Sequence, residues 1–348
     1  MNPLRELLGL ELPIVQAPMA GAQGSALAIA VSTAGGLGSL PCGTLGLDDV
    51  RRELAAIRAA TDRPFNVNFF CHTPPTPDPE RGRRWRELLA PYAGELGIAL
   101  ADGPPPTPSR APFGPQALEI LAEARPPVVS FHFGLPPAEL LAGVRALGAR
   151  VFSSATTVAE ARWLESQGVD AIIAQGLDAG GHRGSFQASD LSGQAGTMAL
   201  VPQIAGAVRV PVIAAGGIAD ARGVAAAMAL GASGAQVGTS YLLCPEATTA
   251  PLAREVLRSD RAGDTAITNL FTGRPARSIV NRMMRELGAT SEAAPAFPLA
   301  ADLMGPLRAE AERRGSTDFS FVWCGQNPSG CREVAAGRLT RELAGLAS

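Results

Sequence analysis

The chain has 348 residues, of which 46% are hydrophobic and 18% are charged, so it can bury a large core. Its formal net charge of −2 gives no electrostatic reason to bind nucleic acid or an acidic membrane, and an aromatic content of 5% argues against a base-stacking surface. The sequence contains no lysine, which excludes both a Schiff-base lysine and a phosphate-loop lysine.

The uncharged stretch from Leu12 to Leu47 raises the question of a membrane span. Prolines and glycines divide it into pieces too short to cross a bilayer, and the residues before it lack the apolar core of a signal peptide. Five scattered cysteines without a CxxC pair, and three histidines without ligand spacing, predict no metal site. The odd number of cysteines suits a reducing compartment, so we expect a cytoplasmic protein.

Eight short apolar segments alternate with longer amphipathic ones, which predicts a parallel β/α repeat. The segments are continuously apolar, as expected for strands that are covered on both faces. Eight units favour a closed TIM (β/α)8 barrel over an open sheet. The predicted strands are Ile14–Ala17, Gly38–Leu40, Phe65–Phe70, Val128–His132, Arg150–Ser153, Ala171–Gln175, Val212–Ala215 and Ala235–Val237.

Helices are predicted between the strands, with Asp48 and Thr157 as N-caps. An amphipathic tail over Cys331–Leu346 is interpreted as the eighth helix of the barrel, delayed by an insertion. The other predicted helices are Leu47–Ala60, Pro136–Leu147, Val158–Gln167, Ala219–Leu230 and Pro245–Arg258.

Two insertions interrupt the repeat, at residues 73–127 and 246–317. The first is proline-rich with an arginine-rich helix around Glu80–Leu89, and the second is predicted to be helical from Asp260 onward. We expect them to pack together over one end of the barrel as a mainly helical lid and substrate domain. The barrel itself is then assigned to residues 1–72, 128–245 and 318–348.

The segment Ala174–Gly184 follows the sixth strand and ends in a glycine cluster that contains His182. Paired glycines, Gly180 and Gly181, let a backbone approach a flat ligand closely because they have no Cβ. A histidine at that position has the side chain best suited to proton transfer near neutral pH. The alternative is a histidine that serves structure alone.

The loops after the seventh and eighth strands carry Gly216-Gly217 and Gly238-Thr239. In a β/α barrel these two loops often bind phosphate through backbone N–H groups. A tight turn without a ligand is the alternative, but the paired occurrence favours phosphate binding.

Several polar side chains end apolar strands. Asn68 and Gln175 could bind neighbouring backbone or the polar edge of a flavin, and the residue types alone leave both possibilities open. His132 is interpreted as a pocket residue, with core packing as the alternative. Arg183 could attract an anion, although a solvated surface arginine is favoured, and none of the cysteines is expected to be a nucleophile.

Taken together, these segments resemble the nitronate monooxygenases, formerly called 2-nitropropane dioxygenases, of the class I bacterial type. The resemblance runs through most of the chain, including the tail Trp323–Gln326. The motifs that carry it are Gln16–Met19, Asn66–Asn68, Ser130–Gly134, Gln175–Gly184, Ala214–Asp220 and Gln236–Glu246.

The resemblance implies a TIM barrel with FMN at the carboxyl ends of the strands. His182 would be the catalytic base, and Ser130 and His132 would lie in the substrate pocket. The cofactor-binding residues would be Met19, Ala20, Asn68, Gln175, Gly180, Gly181, Gly216, Gly217, Gln236, Val237, Gly238 and Thr239.

The implied activity is FMN-dependent oxidation of alkyl nitronates or nitroalkanes, such as propionate 3-nitronate, with O2 to a carbonyl compound and nitrite. Some members place a lysine and tyrosines in the lid, whereas this chain has no lysine and only Tyr92 and Tyr241 as tyrosines. Two alternatives stay open: an FMN-dependent NADH reductase acting on an enoyl thioester or quinone, and a non-redox barrel that binds a phosphate ligand. We expect a monomer or homodimer acting on a small molecule, with no nucleic-acid or membrane partner.

Overall fold

The computed structural model describes residues 2–100, 110–188 and 190–346. Eight of the eleven strands in this part of the chain, all but β7, β10 and β11, form one parallel sheet. The strands are β1 (Ile14–Gln16), β2 (Gly38–Pro41), β3 (Phe65–Phe70), β4 (Val128–His132), β5 (Arg150–Ala155), β6 (Ala171–Gln175), β7 (Gly181–His182), β8 (Val212–Ala215), β9 (Gly234–Val237), β10 (Thr265–Thr268) and β11 (Ala276–Ile279).

The sheet closes on itself between β1 and β2. The Gln16 N–H donates to the Leu37 carbonyl at 2.9 Å, and the Leu37 N–H donates to the Ile14 carbonyl at 2.8 Å. Around the ring the order is β1, β9, β8, β6, β5, β4, β3 and β2. The predicted TIM barrel is confirmed, and each predicted strand lies within two residues of its observed bounds.

Thirteen α-helices occur in the described residues, together with 3-10 turns at Thr239–Tyr241 and Asp260–Gly263. They are α1 (Pro3–Leu8), α2 (Ser25–Thr33), α3 (Leu47–Ala60), α4 (Pro79–Leu96), α5 (Pro115–Ala124), α6 (Ala138–Ala146), α7 (Val158–Ser166), α8 (Thr197–Ala205), α9 (Ala221–Ala229), α10 (Pro251–Arg258), α11 (Arg282–Leu287), α12 (Ala300–Arg313) and α13 (Ala336–Leu343). None of them is both long and apolar enough to span a membrane.

Two helix starts differ in how well they were predicted. Thr157 caps α7 as expected, since its hydroxyl accepts a hydrogen bond from the Glu160 N–H at 3.2 Å. The N-cap of α3 is Gly46, so the prediction of Asp48 was wrong. Asp48 lies in the first turn instead, where a carboxylate still interacts favourably with the helix dipole. The predicted helix at 245–258 begins only at Pro251.

The last helix, α13, packs against α2 and α9. Its Leu339 and Leu343 are buried with Val31 of α2 and Val224 of α9. This is the position of the eighth barrel helix, as the sequence predicted.

The end of the barrel at which the strands begin is closed by α1. Leu4 is fully buried in a cluster with Val15, Val128 and Ile213. Because this end is filled by side chains, the opposite end, where the strands finish, is the one available for a binding site.

The two insertions share a hydrophobic cluster of their own. Trp85 and Leu89 of α4 pack with Phe271, Met283 and Leu307 from the second insertion, so the two segments pack together as expected. The second insertion is not helical throughout, because β10 pairs antiparallel with β11, and β11 pairs antiparallel with β7. This small sheet joins the insertion to the segment that carries His182.

Candidate active site

A cavity of about 430 Å³ lies at the carboxyl ends of the barrel strands, beneath the second insertion. Its volume is within the usual range for small-molecule and cofactor sites. The predicted site residues that line it are Met19, Ala20, Asn68, His132, Gln175, Gly180, Gly181, His182, Gly216, Gly217, Gln236, Gly238 and Thr239.

Two predicted residues do not line this cavity. The side chain of Val237 packs in the core with Ile14 and Tyr241 and therefore points away from the cavity. Ser130 is fully buried, and its hydroxyl and carbonyl oxygens both accept hydrogen bonds from Asn68 Nδ2, at 2.9 and 3.2 Å. Ser130 therefore positions a cavity residue without facing the cavity itself.

Gly180 and Gly181, which precede His182, are glycines for different structural reasons. A Cβ on Gly180 would lie 2.6 Å from the Cys324 carbonyl carbon, so the backbone of the C-terminal segment fills that space. Gly181 has φ +74°, and a Cβ there would have no neighbour closer than 4.0 Å. The open backbone face that the sequence predicted for this pair is therefore at Gly181.

The imidazole of His182 is enclosed by aromatic rings and held at one nitrogen. Phe297 and Trp323 lie 5.3 and 5.1 Å from it between ring centroids, and Nε2 is 2.9 Å from Thr272 Oγ1. Burial, and then the positive charge of Arg110, lowers its pKa well below the ordinary value. His182 is consequently neutral at physiological pH and able to accept a proton.

Gln175 and His132 both hold the His182 carbonyl, with donor distances of 2.9 Å from Gln175 Nε2 and 3.1 Å from His132 Nε2. The Gly184 N–H also donates to Gln175 Oε1 at 2.7 Å. Of the two possibilities left open for Gln175, the bond to neighbouring backbone is present. Because Ser154 Oγ lies 2.9 Å from His132 Nδ1 and burial lowers the pKa of His132 to about 4, this second histidine is also neutral.

The loops after β8 and β9 present unused backbone donors. The N–H groups of Gly217 and Thr239 have no acceptor among the residues that the structure describes. Thr239 Oγ1 accepts a hydrogen bond from the Gly325 N–H at 3.0 Å. Nearby, Gln236 Oε1 is buried without a partner in the described chain. A buried, unpaired amide oxygen is costly, so a donor on a ligand would stabilise it.

Arg183 is neither a surface residue nor an anion receptor, so both interpretations of it were wrong. Its side chain is fully buried and donates to the carbonyls of Gly176 and Gln175, at 2.6 and 2.8 Å, and to Gln194 Oε1 at 2.9 Å. Burial lowers its pKa to about 10. Arg183 thus satisfies carbonyl groups where the loop leaves β6.

Sequence reasoning missed two arginines that line the cavity, Arg110 and Arg308. Arg110 lies with its guanidinium carbon 5.8 Å from the Phe297 ring, and its Nη1 is buried without a partner in the described residues. Arg308 lies over Phe321 at 4.5 Å and pairs with Glu312 at 2.7 Å. Nothing in the pattern distinguishes these two from the other arginines, because orientation toward the cavity depends on the packing of the insertions.

None of the five cysteines is expected to act as a nucleophile. Burial raises the pKa of each thiol, to about 11 for Cys331 and about 12 for Cys244 and Cys324, so all five stay protonated. Within the described ranges, no group of histidine, cysteine and carboxylate side chains could hold a metal ion.

Comparison with known proteins identifies relatives along nearly the whole chain. A family model described as "Nitronate monooxygenase" matches residues 1–344. The chain belongs to the nitronate monooxygenase family. A nitronate monooxygenase from Pseudomonas aeruginosa is 43% identical, with 97% of this chain and 96% of the relative covered. One from Paraburkholderia phytofirmans is 41% identical, with 98% and 93% covered.

Two solved structures are similar to this chain over nearly its whole length. Nitroalkane oxidase from Streptomyces ansochromogenes is 39% identical with a TM-score of 0.89, covering 99% of this chain and 97% of that one. FabK from Thermotoga maritima is 28% identical with a TM-score of 0.71, covering 99% and 94%. The protein is therefore an enzyme, an oxidoreductase of a flavoenzyme family built on a TIM barrel.

Proposed function

We propose that this enzyme binds FMN and oxidises alkyl nitronates and nitroalkanes, including propionate 3-nitronate, with O2 to a carbonyl compound and nitrite. The observation that carries the proposal is a neutral, buried His182 beside an open glycine backbone in a cavity that also holds two arginines. Family membership and the nitroalkane oxidase neighbour support the same reaction class.

The residues present fit FMN. The free N–H groups of Gly217 and Thr239 would bind the phosphate, which compensates for the absence of lysine. The unpaired Oε1 of Gln236 would accept a hydrogen bond from the isoalloxazine, and the backbone at Gly181 would lie against the ring. Bound FMN would supply the redox chemistry, while the protein supplies position and electrostatics. The proposed cofactor site is completed by Met19, Ala20, Asn68, Gln175, Gly180, Gly216 and Gly238.

The substrate is attracted by charge. A nitronate is an anion, and Arg110 brings a guanidinium with one unpaired nitrogen to the cavity. The charge of Arg308 is partly offset by Glu312, and the charge of Arg110 is partly offset by the carboxylate of Asp302. The same positive charge helps to keep His182 neutral, because a second cation in this space is unfavourable.

His182 accepts the α-proton of the substrate in this proposal. In a neutral nitroalkane the α-carbon must lose a proton before oxidation, and a neutral imidazole can accept it. A nitronate has already lost that proton, so its oxidation depends less on His182. The two insertions, 73–127 and 246–317, serve as the lid and substrate domain over this site, and aromatic rings such as Phe297 and Trp323 exclude water from the imidazole.

All five cysteines are free, which supports a reducing, cytoplasmic location.

An NADH reductase acting on an enoyl thioester or quinone is the alternative. Anaerobic stopped-flow decides between the two. The purified yellow protein is mixed separately with ethyl nitronate and with NADH, and bleaching of the flavin absorbance is followed. Bleaching by the nitronate alone supports the proposal, whereas rapid bleaching by NADH alone overturns it. Release of the pigment and its mass identify FMN directly.

A further inference from the structure

The second insertion contributes one side chain that contacts the proposed base directly. Thr272 lies in the turn between β10 and β11, is 1% exposed, and places Oγ1 2.9 Å from His182 Nε2. The other ring nitrogen, Nδ1, has no hydrogen-bond partner among the described residues, and it is not among the buried unpaired atoms. Nδ1 is therefore the nitrogen that is accessible from the cavity.

The backbone around this contact is fixed from both sides. His182 pairs with Ala276 across β7 and β11, and the Arg183 N–H donates to the Pro275 carbonyl at 2.8 Å. Arg274 in the same turn donates to the Ser185 carbonyl and lies with its guanidinium carbon 3.9 Å from the Phe133 ring centroid. The turn that carries Thr272 is thus attached to the His182 loop before and after the hydroxyl contact.

A threonine hydroxyl has one proton, so its direction decides which partner donates. Thr272 Oγ1 also lies 3.5 Å from the Arg274 carbonyl oxygen, which can only accept. When the hydroxyl proton points to that carbonyl, the oxygen accepts from His182 Nε2–H. The hydrogen bond at one imidazole nitrogen then sets the protonation of the other.

We propose that Thr272 is a positioning residue that holds His182 as the Nε2–H tautomer, so that the lone pair on Nδ1 faces the cavity and takes the substrate proton. The role of Nδ1 rests on the proposed function, whereas the tautomer is a property of the protein alone. The α-proton moves from carbon to Nδ1 as the C–H electron pair enters the nitronate, and the imidazolium keeps its Nε2–H on Thr272.

The tautomer is testable by long-range 1H–15N NMR of the purified holoenzyme. The chain contains only three histidines, so the signals that disappear in a His182→Asn variant are those of His182. In the wild type we expect Nε2 of His182 to be pyrrole-like and Nδ1 to be pyridine-like. Thr272→Val removes the hydroxyl at nearly constant volume and should shift this pattern toward Nδ1–H, while Thr272→Ser should restore it. Thr268→Val is the matched control, since Thr268 is equally buried but bonds the Leu270 N–H instead.

Kinetics provide the second readout. For Thr272→Val, kcat/KM should fall at least about tenfold with nitroethane, as expected for a misoriented general base, and fall much less with ethyl nitronate. Thr272→Ser should recover most of the loss. An Nδ1–H tautomer in the wild type, or an unchanged NMR pattern in Thr272→Val, would overturn the inference. A correct tautomer in a protein that oxidises no nitro compound would instead leave the tautomer standing and refute the proposed function.

Discussion

The side chain of Gln175 contacts the backbone of His182 and not its imidazole: Gln175 Nε2 donates to the His182 carbonyl at 2.9 Å. The same amide accepts from the Gly184 N–H at 2.7 Å, so one side chain holds the loop at two points. The orientation of the proposed base therefore depends on a residue at the end of the preceding barrel strand.

Replacing Gln175 with methionine should lower the free energy of unfolding by about 1–3 kcal/mol, because it leaves a buried carbonyl and N–H with fewer partners. Nitroethane turnover should fall as well, since the His182 loop loses its attachment. Urea unfolding and steady-state kinetics measure the two effects. Gln203→Met, at an exposed helix position, is the control, and equal behaviour of the two variants would refute this role.

Replacing Arg183 with methionine should destabilise the protein by about 3 kcal/mol or more, because three buried acceptors lose a charged donor. The measurement is the midpoint of urea unfolding, compared with Arg209→Met at an exposed position. A stable Arg183→Met variant with a raised KM only would mean that Arg183 acts on the substrate after all.

Replacing Arg110 with glutamine should raise KM for nitronates about tenfold, in line with the loss of one charged hydrogen bond, with a smaller change in kcat. The increase should be larger for propionate 3-nitronate than for ethyl nitronate, because the former carries a second negative charge. Arg84→Gln, with the same change in net charge at an exposed site, is the control. An equal increase for both substrates would exclude Arg110 from charge selection.

Replacing Gly181 with alanine should leave a folded protein that retains little flavin. The left-handed backbone at Gly181 costs an alanine about 1–2 kcal/mol, and the added methyl group points into open space where the ring is proposed to lie. Gly148→Ala is a matched control, because Gly148 also has a positive φ and no close neighbour. Flavin absorbance per protein is the measurement, and normal flavin content in Gly181→Ala would contradict the proposed cofactor position.

Acid should destabilise the protein through its histidines. Burial lowers the pKa of His72 and His132 to about 4 and that of His182 well below its ordinary value, so the unfolded chain binds more protons than the folded one between about pH 6.5 and pH 4. Stability should therefore fall as pH falls through this window. Urea unfolding across the window measures the slope, which should be smaller in a His132→Asn variant.

The lowered pKa of His182 also sets the pH profile of catalysis. For nitroethane, the acid limb of kcat/KM should lie clearly below pH 6.5, because the free enzyme keeps His182 neutral there. A limb at or above the ordinary histidine pKa would show that the base is solvated or that another group carries the proton.

The barrel could be predicted from the sequence because its strands are continuously apolar and end in polar or glycine-rich segments. Val128–His132, for example, was predicted with its observed bounds. The small sheet of β7, β10 and β11 was missed, since strands of two and four residues are stabilised by tertiary pairing and have little local signal. The second insertion was consequently expected to be more helical than it is.

In the site, the glycine-histidine loop could be predicted because its residue types are unusual. The orientation of side chains could not: Arg183 turns into the protein and Arg110 turns into the cavity, yet nothing adjacent to either indicates the difference. For the same reason, Ser130 and Val237 were assigned to the site, although Ser130 is fully buried against Asn68 and the strand pleat turns Val237 into the core.

The antiparallel pairing of Ala276 with His182 also bears on protein engineering. A chimera that imports a foreign 246–317 segment would replace both a strand that pairs with the His182 loop and the hydroxyl at its imidazole. Grafts meant to change substrate preference should therefore keep residues 265–279 from the recipient enzyme and exchange only the helices on either side.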